Sequence, residues 1–318
     1  MCNFSVNEQV QLFQFYMYIP TFLLGLVFNA IALSVFCWKL KKWTETTIYM
    51  TNLAVADTIV LLTLPFKIYS YRYPWNFGAG FCAFLECLYF LNIYVSIYLI
   101  TCISVDRYIA IKHPLKAVRM RSPMKAAILC GATWIFVCTI RISMQVSMST
   151  RTAKEKNCFI KVYSKIPPNL WLVGAIEVIG FIIPAFILSF SSFQIIMTLC
   201  KRKVESYGNA GFGRTIIIIA TNLLIFFICY LPFHVGLFVQ FMFESTEQEC
   251  ERQNIVQNFV YVFICLANGN CCLDAIVYYF ASLEVCDHFK QKKVCSKNLQ
   301  HFVLTKMQTA RAPEKYKK

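Results

Sequence analysis

Residues 47–70, TIYMTNLAVADTIVLLTLPFKIYS, form an apolar run interrupted by one carboxylate, Asp57, and one ammonium, Lys67. As a helix rising about 1.5 Å per residue, such a run is long enough to cross a hydrocarbon layer about 30 Å thick. Runs of the same kind recur on both sides of it, at 15–38, 80–112, 123–146, 168–200, 213–242 and 255–281. Seven of them predict an all-α membrane protein, a seven-transmembrane helix bundle. The composition agrees: 58% of the 318 residues are hydrophobic and only 15% charged, too little polar surface for a soluble chain of this size. The first run lacks the basic start and small-residue cleavage site of a removed leader, so it reads as a span.

The net charge of +15 raises the question of nucleic acid. The basic residues answer it, because they sit in short connections and the tail, where they orient helices and face anionic lipid. No nucleic-acid partner is expected. The sixteen cysteines are not a disulfide scaffold either. Most, such as Cys102, Cys130, Cys229 and Cys271, lie inside apolar runs, where a thiol behaves as a small hydrophobe. No Cys/His metal spacing occurs, so no transition-metal site is expected.

Orientation follows from loop charge. Lys39, Lys41 and Lys42, then Lys112, Lys116, Arg119, Arg121 and Lys125, then Lys201, Arg202, Lys203 and Arg214 occupy the first, third and fifth connections. The last outer loop is acidic, with Glu244, Glu247, Glu249 and Glu251, while 151–165 is a basic exception. The balance predicts a multi-pass plasma-membrane protein with its amino terminus outside and its carboxyl terminus in the cytoplasm. The expected organisation is an extracellular 1–14, a transmembrane domain 15–281, and an amphipathic helix with a cytoplasmic tail over 282–318. Leu283, Val285, Cys286 and Phe289 alternate there with charged residues, as suits a helix lying on the inner surface. Asn3-Phe-Ser5 matches a glycosylation acceptor. Cys2 and Cys250 are both external and suggest a disulfide, and Cys286 and Cys295 are juxtamembrane candidates for palmitoylation.

Ionisable side chains inside the spans carry the functional information, since each costs about 3 kcal/mol to insert at mid-bilayer. Lys67, Asp57, Glu86, Asp106, Arg107, Arg141, Glu177 and Asp274 are those residues. One set, Asn29, Asp57, Asn92, Ser96, Asn270 and Asp274, offers two carboxylates and several neutral oxygens. In a dry bundle these repel unless a proton or hard cation joins them. A second set is Asp106-Arg107-Tyr108, at the inner end of the third span. Adjacent residues do not share a helix face, so a partner for Arg107 is expected from another helix.

The order of these residues resembles the rhodopsin-like G-protein-coupled receptors: Asn29, Leu53 with Asp57, Asp106-Arg107-Tyr108, Trp134, Pro184, Pro232 and Tyr278, each in its own span. The resemblance implies a disulfide between Cys82 and Cys158, and a sodium ion, as allosteric ion and not as cofactor, at Asp57, Asn92 and Ser96. It implies a resting-state lock at Arg107, and inner helix ends that open to a heterotrimeric G protein, with arrestin as a second partner. It does not imply an enzyme. The chain departs from the family at Asp274-Ala-Ile-Val-Tyr278, which lacks the usual proline, at Tyr230 in place of a tryptophan before Pro232, and at Ser192 in place of a tyrosine.

Within the family, Leu64-Pro-Phe-Lys67, Glu86-Cys-Leu-Tyr-Phe90 and Asn270-Cys-Cys-Leu-Asp274 resemble the subgroup of the lysophosphatidylinositol receptor and its kynurenate-responsive relative. Tyr89 stands where an amine receptor needs a carboxylate. The subgroup implies an anionic lysophospholipid or other amphiphilic anion, bound by Lys67, Glu86, Tyr89, Phe90, Arg141, Phe233 and His234. Glu86 is also placed to pair with Lys67. A peptide, nucleotide or small carboxylate ligand is the alternative. A transporter or channel is a weaker one, since no repeated half or paired broken spans occur.

Overall fold

The computed structural model describes residues 6–39, 43–149, 158–159, 170–205, 210–244, 251–252 and 254–277. Among them every regular element is helical, and seven helices are long and apolar enough to span a bilayer: Glu8–Trp38, Glu45–Ser70, Ala79–Lys112, Pro123–Ser143, Gly174–Arg202, Gly213–Gln240 and Asn254–Val277. They are called the first to seventh helices below. The amphipathic stretch 283–294, Tyr278, Asn3, Cys2, Cys250, Cys286, Cys295 and most of the basic segment 151–165 lie outside the described residues.

Local chemistry sets the ends. The first helix starts at Glu8, ahead of the apolar run that begins near 15, because Asn7 caps it by accepting the Gln9 N–H at 2.9 Å. Glu8 adds a negative charge to the exposed amides of that turn. Thr44 caps the second helix in the same way, accepting the Thr47 N–H at 3.3 Å. Between the third and fourth helices a short helix, Pro114–Met120, opens on a proline, whose missing N–H costs nothing there. In the first outer loop the Trp75 indole donates to the Gly78 carbonyl at 2.9 Å, and the turn holds Gly78 at φ +84°, a conformation that favours glycine.

The third helix is the hub, packing against the second, fourth and fifth, while the first packs on the second and the sixth on the fifth. Polar side chains stitch the helices together. Trp134 of the fourth donates to Asn52 of the second at 3.2 Å, and Asn29 of the first donates to the Cys271 carbonyl of the seventh at 3.0 Å. Large apolar side chains such as Leu23, Phe186 and Ile217 point outward, which is the correct arrangement for a surface solvated by lipid. The Cys82–Cys158 disulfide ties the start of the third helix to the second outer loop.

The fifth helix carries a π-helical turn at Val178–Ile182. Pro184 follows it and cannot donate to the carbonyl four residues back, and the wider turn accommodates that missing bond. Gly180 lies in this turn and lets Tyr94 of the third helix close in. A Cβ at 180 would meet the Tyr94 ring carbon Cε1 at 2.8 Å. Gly180→Val therefore overpacks the joint between third and fifth helices and is expected to lower stability by about 1–3 kcal/mol, read as a lower melting temperature of the purified protein. An unchanged melting temperature means that the ring has room to move and the close fit is not a constraint.

Candidate functional site

Lys67 is placed near the carboxyl-terminal end of the second helix, one turn before Tyr71, and is almost completely buried. Its ammonium lies 4.3 Å from the centre of the Tyr89 ring, 5.0 Å from Phe159, 5.7 Å from Tyr18 and 5.9 Å from Tyr71. Ring faces attract a cation by about 0.5–2 kcal/mol each, yet they do not replace hydrogen-bond acceptors. Among the described residues no carboxylate comes within ion-pair distance of this ammonium. Among the described residues Lys67 and Glu86 make no ion pair within that distance, although Glu86 lies near enough to attract the ammonium, and one Glu86 oxygen accepts the Phe159 backbone N–H at 3.0 Å.

That contact explains the loop. Phe159 follows the disulfide-bonded Cys158 and holds a left-handed backbone, φ +66°, which disfavours any residue with a side chain. The disulfide and Glu86 fix the conformation and bring the phenyl ring over Lys67. Such strain persists only where the surroundings over-determine it, and it clusters at functional sites. The Tyr18 and Tyr89 hydroxyls hydrogen-bond at 2.5 Å. Tyr71 donates to Gln14, whose amide donates to the Tyr261 carbonyl of the seventh helix. Burial pushes the Tyr71 hydroxyl well above its ordinary range, so it stays a donor. Sequence reasoning missed Phe159, Tyr18, Gln14 and Tyr261. Only Phe159 had a signal, its adjacency to Cys158.

On the other side of the chamber, Phe90 packs edge-on to Tyr89 and lies under the Arg141 guanidinium, 4.9 Å from its centre. Phe233 and His234 come from the sixth helix, and both are buried. His234 reads in the sequence as a solitary histidine on an apolar span. In the structure its Nδ1 lies 2.9 Å from a Glu177 carboxylate oxygen of the fifth helix, and Phe181 stacks on its ring at 4.2 Å.

Deeper in the bundle, Asp57 is buried and neither of its oxygens meets a donor. Asn29, Asn268 and Asn270 each bury an amide oxygen that also lacks one. Ser96 donates to Asn92 at 3.4 Å, and Asn270 donates to Asp274 at 2.7 Å and to the Tyr230 hydroxyl at 2.9 Å. The structure therefore gathers the oxygen set of the first, second, third and seventh helices, with an excess of acceptors over donors. That excess fits a hard cation, which takes oxygen ligands. Tyr230 accepts a hydrogen bond there, which the indole N–H of a tryptophan cannot do. The Cys82, Cys158 and Glu86 donor atoms also lie close together, but both sulfurs are spent in the disulfide.

At the inner face, Asp106 is held by Arg121 through two bonds of 2.7 and 2.8 Å and by Thr46 at 3.1 Å. Glu45 approaches the same guanidinium at 3.4 Å. Burial works against the Arg121 charge, but Asp106 and Glu45 outweigh it and raise its pKa. The carboxylate of the Asp-Arg-Tyr motif is thus taken by the second inner loop, and Arg107 and Tyr108 follow it on the third helix. Tyr108 packs on His113 and Phe190. A cleft of about 400 Å³ opens beside the lock, lined by Glu45, Ala110, Pro114, Ala117, Val118 and Arg121. Leu115 and Val118 of the short helix stand almost fully exposed beside it.

The buried Glu177–His234 pair is testable directly. Removing one partner from a buried pair costs about 3–5 kcal/mol, because the other is left stranded, whereas a well-packed apolar pair of similar volume is close to neutral. Glu177→Met and His234→Phe are each expected to lower the melting temperature sharply, and the double variant to recover most of the loss. Additive losses mean that the two side chains are not coupled.

The match to known proteins covers most of the chain. The family described as 7 transmembrane receptor (rhodopsin family) matches residues 28–278. Curated relatives include G-protein coupled receptor 35 of Mus musculus, 35% identical over 303 residues and covering 94% of this chain and 95% of its own. G-protein coupled receptor 55 of Mus musculus is 35% identical over 298 residues, covering 89% of this chain and 90% of its own. Lysophosphatidic acid receptor 6 of Gallus gallus is 35% identical over 272 residues, covering 82% and 87%. With the seven-helix bundle and the Asp106-Arg107-Tyr108 motif in their places, the chain belongs to the rhodopsin family of seven-transmembrane, G-protein-coupled receptors.

Proposed function

We propose that this receptor is switched by an anionic lysophospholipid, with lysophosphatidylinositol as the reference ligand, whose head group binds Lys67. The observation that carries this reading is a buried ammonium ringed by four aromatic side chains, with no carboxylate within ion-pair distance among the described residues. An anionic head group completes what the rings leave undone, through charge-assisted hydrogen bonds. Phe90, Phe233, Tyr89 and the ring of His234 supply apolar wall for the rest of an amphiphile. A relative named as a lysophosphatidic acid receptor supports the same ligand class.

The amino terminus lies outside and the carboxyl terminus inside in this reading, so the Lys67 chamber faces the outer leaflet and the Arg121 lock faces the cytoplasm. Ligand binding shifts the population toward a state whose inner helix ends admit a G protein, with arrestin as the later partner. Exposed Leu115 and Val118, beside the cleft, offer the apolar contact for it. A sodium ion at Asp57, Asn92, Ser96, Asn270 and Asp274 stabilises the resting state. The excess of oxygen acceptors there supports the assignment.

Lys67→Gln is expected to remove about 1.5–3 kcal/mol of head-group binding, a loss of roughly tenfold or more in lysophosphatidylinositol potency. The measurement is G-protein activation in cells with surface expression matched to wild type. An unshifted dose–response rejects Lys67 as the head-group contact, and activation by a nucleotide or peptide without any lysolipid response replaces the ligand class. Asp57→Asn is expected to abolish the effect of added sodium on agonist binding to membranes. Sodium acting equally on both proteins rejects the ion site.

A further inference from the structure

Arg141 is a second buried cation, carried by the fourth helix. It is only 8% exposed, and its Nε is enclosed and has no hydrogen-bond partner. Ala126, Cys130 and Val137 of the same helix are buried as well, whereas Ile135 and Ile142 face the lipid. By helical spacing Arg141 therefore belongs to the inward face. The residue as a whole is buried and its Nε is enclosed, so the side chain does not simply extend into open solvent. Among the described residues the guanidinium rests on the Phe90 ring.

The energy does not balance with that ring alone. Burying an arginine in a membrane helix is costly, and a single phenyl face returns only a small part of that cost. Among the described residues no carboxylate makes up the difference. A planar guanidinium with an unfilled Nε–H is shaped for a two-pronged contact with a tetrahedral or planar oxoanion, which an ammonium is not.

Lys67 and Arg141 approach the third helix from different directions. The two cations sit against neighbouring side chains, Tyr89 and Phe90, whose rings are 5.1 Å apart and nearly perpendicular. Consecutive residues leave a helix about 100° apart, so the two heads look into different sectors of the bundle. We propose that Arg141 is a separate anion-binding position, taking a phosphate-type oxoanion of an amphiphile through its Nε and terminal nitrogens. This rests on the reading of the outer chamber as a site for anionic amphiphiles. The oxoanion comes either from the agonist itself or from an anionic phospholipid of the bilayer.

The test uses purified full-length receptor in phosphatidylcholine nanodiscs, with and without phosphatidylglycerol. Lysophosphatidylinositol affinity and melting temperature are measured for wild type, Arg141→Gln, Arg141→Lys and Lys67→Gln. If the agonist supplies the oxoanion, Arg141→Gln weakens lysophosphatidylinositol binding about tenfold, the worth of one charge-assisted contact, in phosphatidylcholine alone. If the bilayer supplies it, affinity there is unchanged, but Arg141→Gln abolishes the rise in melting temperature that phosphatidylglycerol gives wild type. Either result supports the site, and Arg141→Lys, which keeps the charge but not the fork, is expected to retain only part of the effect. Should Arg141→Gln match wild type in both measurements, the proposal is overturned. Should Lys67→Gln and wild type both fail to respond to lysophosphatidylinositol, the ligand reading fails, while the phosphatidylglycerol measurement still decides Arg141.

Discussion

A polar group carried into lipid has to find its partner inside the protein, because the surrounding hydrocarbon offers none. In this receptor that requirement shapes the bundle from one face to the other. Asn29 reaches the Cys271 carbonyl, Trp134 reaches Asn52, and Asn270 reaches both Tyr230 and Asp274. Each contact joins two helices or fixes a turn against its neighbour. Apolar packing alone cannot choose among rotations of helices whose outer surfaces are all solvated by lipid. The polar contacts make that choice, and the third helix, meeting three others, transmits it.

The same requirement explains why the sequence speaks so clearly about some features. Spans were legible because every run must be long and apolar whatever its neighbours are. Asp57 and Asp274 stood out because a charge in lipid is costly, so both were assigned to one set before any geometry was known. Partner choice is a different matter, since it depends on three-dimensional placement. Glu86 was paired in the sequence reading with Lys67, yet it caps the Phe159 amide, because a disulfide-anchored loop folds inward over the chamber. His234 read as solitary, while its partner Glu177 lies on the preceding helix, at the edge of a π-helical turn that residue spacing does not announce. Arg121 counted only as a loop charge, although it makes the two-bond clasp on Asp106.

The departures from the family pattern are coherent with one another. A tryptophan at 230 offers only a donor, so the Asn270 amide N–H would lose the acceptor that Tyr230 supplies. The tyrosine hydroxyl accepts that hydrogen bond instead. Asn270 then also serves Asp274, four residues on along an unkinked helix, as i and i+4 side chains can. With no proline at 275 the helix continues through Val277. Tyr230, Asn270 and Asp274 therefore function as one hydrogen-bonded unit, and each departure makes sense only beside the others.

That unit is joined to the outer chamber by aromatic stacking. The His234 ring lies on Phe181 at 4.2 Å, Phe181 stacks on Phe226 at 6.0 Å, and Phe226 leans on Tyr230 at 5.2 Å. The path passes from the sixth helix to Phe181 of the fifth and back to the sixth, so sliding one helix past the other breaks the stack. His234 at one end is held by the Glu177 carboxylate and Tyr230 at the other by Asn270. Close-packed interiors switch between discrete arrangements more readily than they deform. A displacement of His234 therefore reaches Tyr230 and Asn270 through contacts already in place. The π-helical turn, with Gly180 pressed against Tyr94, puts the third helix against that same joint. Chamber, column and oxygen set are thus packed as one body, which is the arrangement a receptor needs if an event at its outer face is to be felt at its inner one.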